Sequence, residues 1–311
     1  VLIGGIDIGS NTLRLMVGRV EAQKVEAIRF ERKITRLGEG VAQTGRLSED
    51  GMNRSIQALK EFCGVLRDFS VKEVAVVGTS ALRSSNNQEF FLKKVDQETG
   101  LKIEVISGEE EAKRTFDGIV FGSEGIEGEF CVLDIGGGST EIIIGRKKEI
   151  ENLKSLYLGV VSLTERYLKS DPIQQKEVQE LREEIIELLK EIPFLYQRES
   201  QFDLIGTAGT LTTLGAICQG LGQFDRRKIH NQLISKVFVE NVLTDLVSKT
   251  LTQRRNIPGL EPGREDVIVP GVLILLCVMD LLGVSKVKIS DYGLLEGIIL
   301  HRAEQLGLVE S

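Results

Sequence analysis

Three extended runs, 1–7, 13–20 and 24–35, open the chain and read as a β meander. Ser48 then caps a helix whose apolar stripe runs Met52, Ile56, Leu59, Cys63, Leu66. A short apolar strand at 74–77 ends in GTSALR. A helix follows over 87–100, with Gly100 as its stop signal, then a strand at 102–107 and a helix over GEEEAKRTFDGIVFG. The order is βββαβαβα, and Gly-rich residues 122–128 read as a linker or hinge. The pattern then restarts. Runs 129–134, 141–146 and 149–158 form a second meander, and helices follow at 160–170 and 174–192. A strand at 202–205 leads into GTAGTLTTLGAIC. Helices at 236–249 and 263–282, a strand at 286–290 and a last helix over 292–305 complete the pattern. Two such halves predict an α/β protein of duplicated domains, 1–122 and 123–297, with 298–311 free to pack back on the first. The cleft between duplicated domains is the default ligand site.

The restart carries a repeated motif. Residues 6–19 read IDIGSNTLRLMVGR and residues 133–146 read LDIGGGSTEIIIGR, so that Asp7 aligns with Asp134, Gly9 with Gly136, Gly18 with Gly145 and Arg19 with Arg146, without a gap. Each copy is a strand ending in Asp, a turn of small polar residues and a second strand. Such a turn leaves backbone N–H groups able to wrap an anion, with hydroxyls helping. Gly9, Ser10, Asn11 and Thr12 are the phosphate candidates of the first copy, and Gly136, Gly137, Gly138, Ser139 and Thr140 those of the second. Three consecutive glycines exceed what a hairpin needs, which favours close approach to a ligand over shape alone. A strand-end Asp either holds a divalent cation, usually through water, or caps its own turn. The cation candidates are Asp134 and Glu141, with Asp7 facing them from the other domain.

Composition narrows the class. The chain has 311 residues, 41% apolar side chains and a formal net charge of −7, as expected of a soluble globular protein rather than a general nucleic-acid binder. A polyanionic ligand must then be met by a local basic patch. The start shows no basic n-region or cleavage site of a signal peptide. The apolar run 267–284 is broken by Pro270, Gly271, Asp280 and Gly283 and reads as a buried helix, not a membrane span. Cys63, Cys131, Cys218 and Cys277 lie far apart in apolar contexts, as reduced core cysteines of a cytoplasmic protein do.

Seven ordered motifs carry a family resemblance over essentially the whole chain. They are DIGSNTLRL (7–15), GTSALR (78–83), ISGEEEA (106–112), DIGGGSTE (134–141), GTAGT (206–210), GREDVIVPG (263–271) and DYGLLEG (291–297). Together they resemble the exopolyphosphatase/guanosine pentaphosphate phosphohydrolase family of the actin–sugar kinase–heat-shock ATPase superfamily. The resemblance implies two ribonuclease H-like domains around a phosphate cleft. It also implies Mg²⁺-assisted hydrolysis of the terminal phosphoanhydride of polyphosphate or guanosine pentaphosphate. Longer members append a helical domain resembling metal-dependent phosphohydrolases; this sequence, with only His230 and His301, lacks its His-Asp pair.

On this resemblance Glu111 is the expected catalytic base, with Glu109 as substitute if the register differs. The competing reading is that the run Glu109–Glu110–Glu111 complements the dipole at a helix start. Arg14 and Arg83 are expected at phosphate oxygens. Gly206, Thr207, Gly209 and Thr210 stand where actin-like ATPases hold adenosine; here they hold a nucleoside, a stretch of phosphate chain or nothing beyond a strand-to-helix turn. Arg264 and Asp266 read as a structural pair at a helix start. Arg226, Arg227, Lys228, Arg254 and Arg255 either extend a basic track or are solvated surface charges. The cofactor expected is Mg²⁺ or another divalent cation, and no membrane partner is expected. A homodimer is allowed. Two rival readings stay open, a kinase or phosphotransferase of the same superfamily (to an acceptor such as ADP) and a nucleotide-responsive module without turnover.

Overall fold

The opening meander is β1 (Leu2–Ile8), β2 (Thr12–Glu21) and β3 (Lys24–Ile34), paired antiparallel in chain order. The computed structural model describes residues 1–21, 24–123, 128–196, 203–222 and 225–309. These divide into two compact units, Val1–Ser123 with Tyr292–Ser311, and Glu124–Asp291. After β3 the first unit continues with α1 (Val41–Thr44), α2 (Glu49–Asp68), β4 (Glu73–Gly78), α3 (Ser80–Arg83), α4 (Gln88–Thr99), β5 (Ile103–Val105) and α5 (Gly108–Gly122). Its sheet has the order β3-β2-β1-β4-β5, with β4 and β5 parallel to β1. Central β1 is buried from Ile3 to Ile8 and so reads as an apolar run that only Asp7 interrupts. Edge strand β3 is half-exposed and studded with charge, which discourages pairing with another chain. Ser48 caps α2, its hydroxyl accepting from Gly51 N at 3.1 Å, and Gly100 ends α4 in the left-handed conformation at φ 74°.

The second unit repeats the plan with β6 (Glu129–Ile135), β7 (Thr140–Arg146) and β8 (Glu149–Leu156), then α6 (Val160–Tyr167), α7 (Gln175–Leu189), β9 (Asp203–Thr207), α8 (Ala208–Cys218), α9 (Arg226–Ile229), β10 (Leu233–Ser235), α10 (Lys236–Ser248), α11 (Leu251–Arg254), α12 (Ile268–Leu282) and β11 (Lys286–Ile289). Its order, β8-β7-β6-β9-β11-β10, is that of the first sheet with one antiparallel strand added at the end. Even the irregularities repeat. The first sheet slips register between Val17 and Gly18, and the second between Ile144 and Gly145, the aligned glycines of the duplicated motif. This is the duplicated ribonuclease H-like plan of the actin-like ATPase fold.

Helix α12 is buried at every position from Ile268 to Met279, so it is apolar all round and forms the centre of the second unit's core. Among the described residues no helix is long and apolar enough to cross a membrane. The α12 helix starts at Ile268 and not at 263, because GREDV is spent in a turn that needs Gly263 at φ 87°. The last helix, α13 (Leu294–Gln305), belongs to the first unit, whose boundary at Asp291/Tyr292 lies ahead of the one expected after 297. The reason is a backbone-to-backbone crossing of α5 and α13. A Cβ on Gly118 would lie 2.0 Å from Gly293 O, and one on Gly297 1.8 Å from Arg114 O. Of the expected linker 122–128, Gly122 is the last residue of α5, and residues 124–127 lie outside the described set, as does Phe202 of the expected strand. The cysteines are free but not all in the core. Cys131 and Cys277 are buried, Cys63 is half-buried and Cys218 is exposed at the end of α8.

Candidate active site

Strands β1, β4 and β5 run parallel and end together, so the segments after them gather at one end of the first sheet. That end is where open α/β sheets present ligand-binding loops. After β1 comes the turn Gly9–Asn11. Its glycine is obligatory, since a Cβ on Gly9 would stand 2.9 Å from Thr12 O, the carbonyl that accepts from Gly9 N. The turn is clamped from behind. Asn11 O accepts from Thr35 N and Arg36 N, both at 3.0 Å, and Ser10 O accepts from Gly38 N at 2.7 Å. Arg36 takes φ 53° to make this possible, and a Cβ on Gly38 would fall 2.7 Å from the Ser10 Cβ. The N–H groups of Ser10 and Asn11 donate to no backbone carbonyl among the described residues.

The side chains of this turn are more telling. Asp7 Oδ1, Ser10 Oγ, both amide atoms of Asn11, Thr12 Oγ1 and Thr35 Oγ1 are all buried without a hydrogen-bond partner. A buried polar atom left unsatisfied costs about 1–3 kcal/mol, and such atoms are scarce in folded proteins. Six of them, in the turn, in the two strands that flank it and at Thr35 behind it, suit a polar ligand. Thr35 is absent from the motif and sequence reading missed it; only its pairing behind Asn11 reveals it.

Asp7, the expected cation contact, and Arg14, the expected phosphate contact, meet each other. They are cross-strand partners, and Arg14 donates through Nε at 2.8 Å and Nη2 at 2.6 Å to Asp7 Oδ2. After β4, Thr79 N donates to Ile8 O at 3.2 Å and α3 carries Arg83. Arg83 Nη1 donates to Ile106 O at 2.8 Å and to Glu111 Oε2 at 3.1 Å. Glu111 lies in the first turn of α5, which Ser107 caps by accepting from Glu110 N. The three carboxylates of this run differ sharply: Glu109 is exposed, Glu110 is bound to Arg114 at 2.7 Å, and Glu111 is only 8% exposed. A helix-dipole role needs no burial, so the dipole alone does not account for the burial of Glu111. Arg114 also hydrogen-bonds Glu104, and this contact holds the Glu104 carboxyl below the usual range.

The second unit builds the same turn. A Cβ on Gly136 would again stand 2.9 Å from the carbonyl that accepts its N–H, here Ser139 O. Gly136 O and Gly137 O accept from Val160 N and Val161 N, and Gly159 lies so close that its Cβ would fall 2.2 Å from Gly138 Cα. The N–H groups of Gly137, Gly138 and Ser139 have no backbone acceptor among the described residues. Thr140 turns its hydroxyl back to Leu158 O at 2.5 Å. Where the first hairpin pairs Asp7 with Arg14, this one pairs Asp134 with Glu141, and both are buried. Ser155 Oγ donates to Glu141 Oε1 at 2.7 Å. Like charges on directly opposed strand positions are unfavourable, and burial sharpens the cost. Two hard oxygen donors in this position suit an ion that takes one or two carboxylates and completes its shell with water and phosphate. Among the described residues no group of three or more His, Cys, Asp or Glu forms a closed metal cage.

The GTAGT segment runs from the end of β9 into α8. Gly206 and Gly209 have packing reasons to be glycine: a Cβ on the first would meet Leu211 at 2.6 Å, and one on the second would meet the Arg264 guanidinium at 2.1 Å. Arg264 pairs with Glu261 at 2.5 Å, not with Asp266. Between the two glycines Ala208 is held at φ 65°, a left-handed conformation costly for a residue with Cβ. Thr207 and Thr210 are buried beside it. The basic residues considered for a track mostly do structural work. Arg226 is ion-paired to Asp291 and also bonds its carbonyl; buried Arg254 donates to Leu246 O and Glu265 O, and Arg255 to Glu265. Arg227 is exposed, its side chain 93% accessible.

Known proteins resemble the chain over nearly its whole length. Residues 16–306 match the Ppx/GppA phosphatase family. Exopolyphosphatase 2 of Mycobacterium tuberculosis is 33% identical, the alignment covering 97% of this chain and 98% of that protein. A bifunctional 3-dehydroquinate synthase/phosphatase of Fusobacterium nucleatum is 34% identical over 97% of the chain; the chain spans about half of that relative, 47% of its length. Among solved structures, the Aquifex aeolicus member of the Ppx/GppA family superposes with a TM-score of 0.81 at 32% identity, covering 100% of this chain and 99% of that one. An exopolyphosphatase from Cytophaga hutchinsonii gives a TM-score of 0.90 at 28% identity, with 100% of both chains covered.

Proposed function

The chain belongs to the Ppx/GppA phosphatase family, and on that premise we propose that it is an exopolyphosphatase-type phosphoanhydride hydrolase, releasing terminal phosphate from inorganic polyphosphate. Two observations carry the reading: six buried polar atoms without partners in and around the first turn, and a buried Glu111 held by Arg83 in the same unit. Ser10, Asn11 and Thr12, with the N–H groups of their turn, hold the oxygens of the transferred phosphoryl group. Phosphoryl transfer asks a protein chiefly for positioning and charge neutralisation, which is what such turns provide. Glu111 orients the attacking water and takes its proton as the new P–O bond forms. The bridging P–O bond breaks, and the chain leaves one phosphate shorter. Asp134 and Glu141 would hold a Mg²⁺ ion, which when bound supplies positive charge to the phosphate oxygens. Guanosine pentaphosphate undergoes the same step, its terminal phosphate presented in the same way. Incubation with Mg²⁺ and, in turn, long polyphosphate, guanosine pentaphosphate, and polyphosphate with ADP tests the proposal by free phosphate and ATP. Phosphate release without ATP is expected; ATP formed in place of free phosphate would assign the chain to phosphotransfer, and no turnover on any substrate to regulation.

A further inference from the structure

Strand β10 is the outer strand of the second sheet and pairs with β11 on one side only. Its register, Leu233 opposite Lys288 and Ser235 opposite Lys286, puts these four side chains on one face, while Ile234 and Val287 are buried on the other. Leu233 is 59% exposed, and Val237, in the first turn of α10, is 64% exposed. Lys286 is exposed and Lys288 half-buried, and neither forms an ion pair among the described residues. Arg227 and Lys228, on the short α9 that precedes β10, are exposed as well. Lys236, by contrast, is already bound by Asp280 and Glu240.

The other three sheet edges are built differently. Arg29 pairs with Glu31 and Lys33 with Glu61 on β3, Glu104 with Arg114 on β5, and Glu151 with Arg146 on β8. Charged side chains of that kind discourage an added strand. Strand β10 carries no charge of its own, and the lysines beside it share one sign in a chain of net charge −7. We infer that the β10 edge is a docking site for an extended, acidic segment of a partner protein, which adds a strand to the sheet. Main-chain hydrogen bonds hold such a segment, and its side chains decide specificity. Its apolar residues cover Leu233 and Val237. Its carboxylates reach Lys286 and Lys288 two strands away, about 10 Å between backbones, a gap that Glu and Lys side chains span together. A second copy of this chain fits less well, because a two-fold contact sets the patch against itself and brings like cations together. A phosphate chain would use the cations but gain nothing from the strand edge or the exposed apolar residues.

The probe is a fluorescein-labelled peptide of alternating glutamate and valine, titrated with the whole chain and followed by anisotropy. Saturable binding is expected. The same peptide with glutamine for glutamate should bind severalfold more weakly, and a fully N-methylated copy, which offers the edge no N–H group, should not bind. Lys286→Glu combined with Lys288→Glu should weaken the glutamate peptide by about tenfold or more, through lost ion pairs and new repulsion, with thermal melting unchanged. No saturable binding, binding indifferent to N-methylation, or full affinity in the doubly substituted chain overturns the inference. So does a wild type that sediments as a dimer with a Leu233→Asp variant that sediments as a monomer, which would give the edge to a second copy. The peptide comparisons need no variant, so they decide the matter even where the double substitution does not fold.

Discussion

At the scale of the residue, Glu109 and Glu111 cannot be separated in sequence, because both sit in the first turn of a helix where acidic residues are favoured anyway. Burial and the Arg83 contact separate them. Glu109→Gln is therefore expected to leave steady-state turnover unchanged. Arg83→Lys keeps the charge but loses the rigid guanidinium that sets one nitrogen, Nη1, between Glu111 and Ile106 O, and should lower kcat by roughly 10–100-fold with the melting temperature nearly intact. A loss confined to stability would make Arg83 a purely structural residue. Ala208 offers a stability test. Its left-handed backbone costs about 1–3 kcal/mol, partly offset in a glycine variant by the entropy of a freer unfolded chain. Ala208→Gly should thus stabilise the chain by up to about 1 kcal/mol in denaturant melts, and a destabilised variant would show that the methyl packs usefully. The residues sequence reading missed here, Thr35, Gly38 and Gly159, stand behind the turns and belong to no motif. Their role comes from which strand or loop lies against which.

Elements were legible in proportion to their length. The two meanders, α2, α7 and α12 follow from strand runs and helical stripes, and the hairpins follow from Asp and Gly at strand ends. The one-turn helices α1, α3, α9 and α11 and the three-residue strand β10 are too short to show a period. They form because longer elements hold their ends. The α5–α13 crossing is also invisible locally, since Gly118 and Gly297 look like ordinary helical glycines until their partner helix is known. Replacing Gly118 by Leu puts a side chain into a carbonyl that cannot retreat and should cost about 3 kcal/mol or more. Arg114, on the same helix, has a 5% exposed side chain bound to Glu104 and Glu110. Arg114→Ala should lower the melting temperature at neutral pH. The Glu104 carboxyl titrates lower in the folded than in the unfolded chain, so its contribution is present above the unfolded value and fades as pH falls through the folded one. The gap between wild type and variant should therefore narrow in acid; a gap independent of pH would leave lost packing as the cause.

At the scale of the whole molecule, a chain of net charge −7 must bind a polyanion through local cations and Mg²⁺, so added salt should weaken long polyphosphate more than short. The sequence suggested Arg226 and Arg227 together as an extended track, and their surroundings now part them. Arg226→Glu breaks the pair with Asp291 and should reduce stability and activity on every substrate alike. Arg227→Glu should change KM for long polyphosphate only if the exposed guanidinium meets the chain, and leave guanosine pentaphosphate untouched. The most direct test of the central claim is the rate of phosphate release from polyphosphate with Mg²⁺ by wild type and Glu111→Gln side by side. Steady release by wild type and a drop of roughly 10²–10⁴-fold in the variant, with polyphosphate still bound, is the expected result. Equal rates in the two proteins would contradict the account.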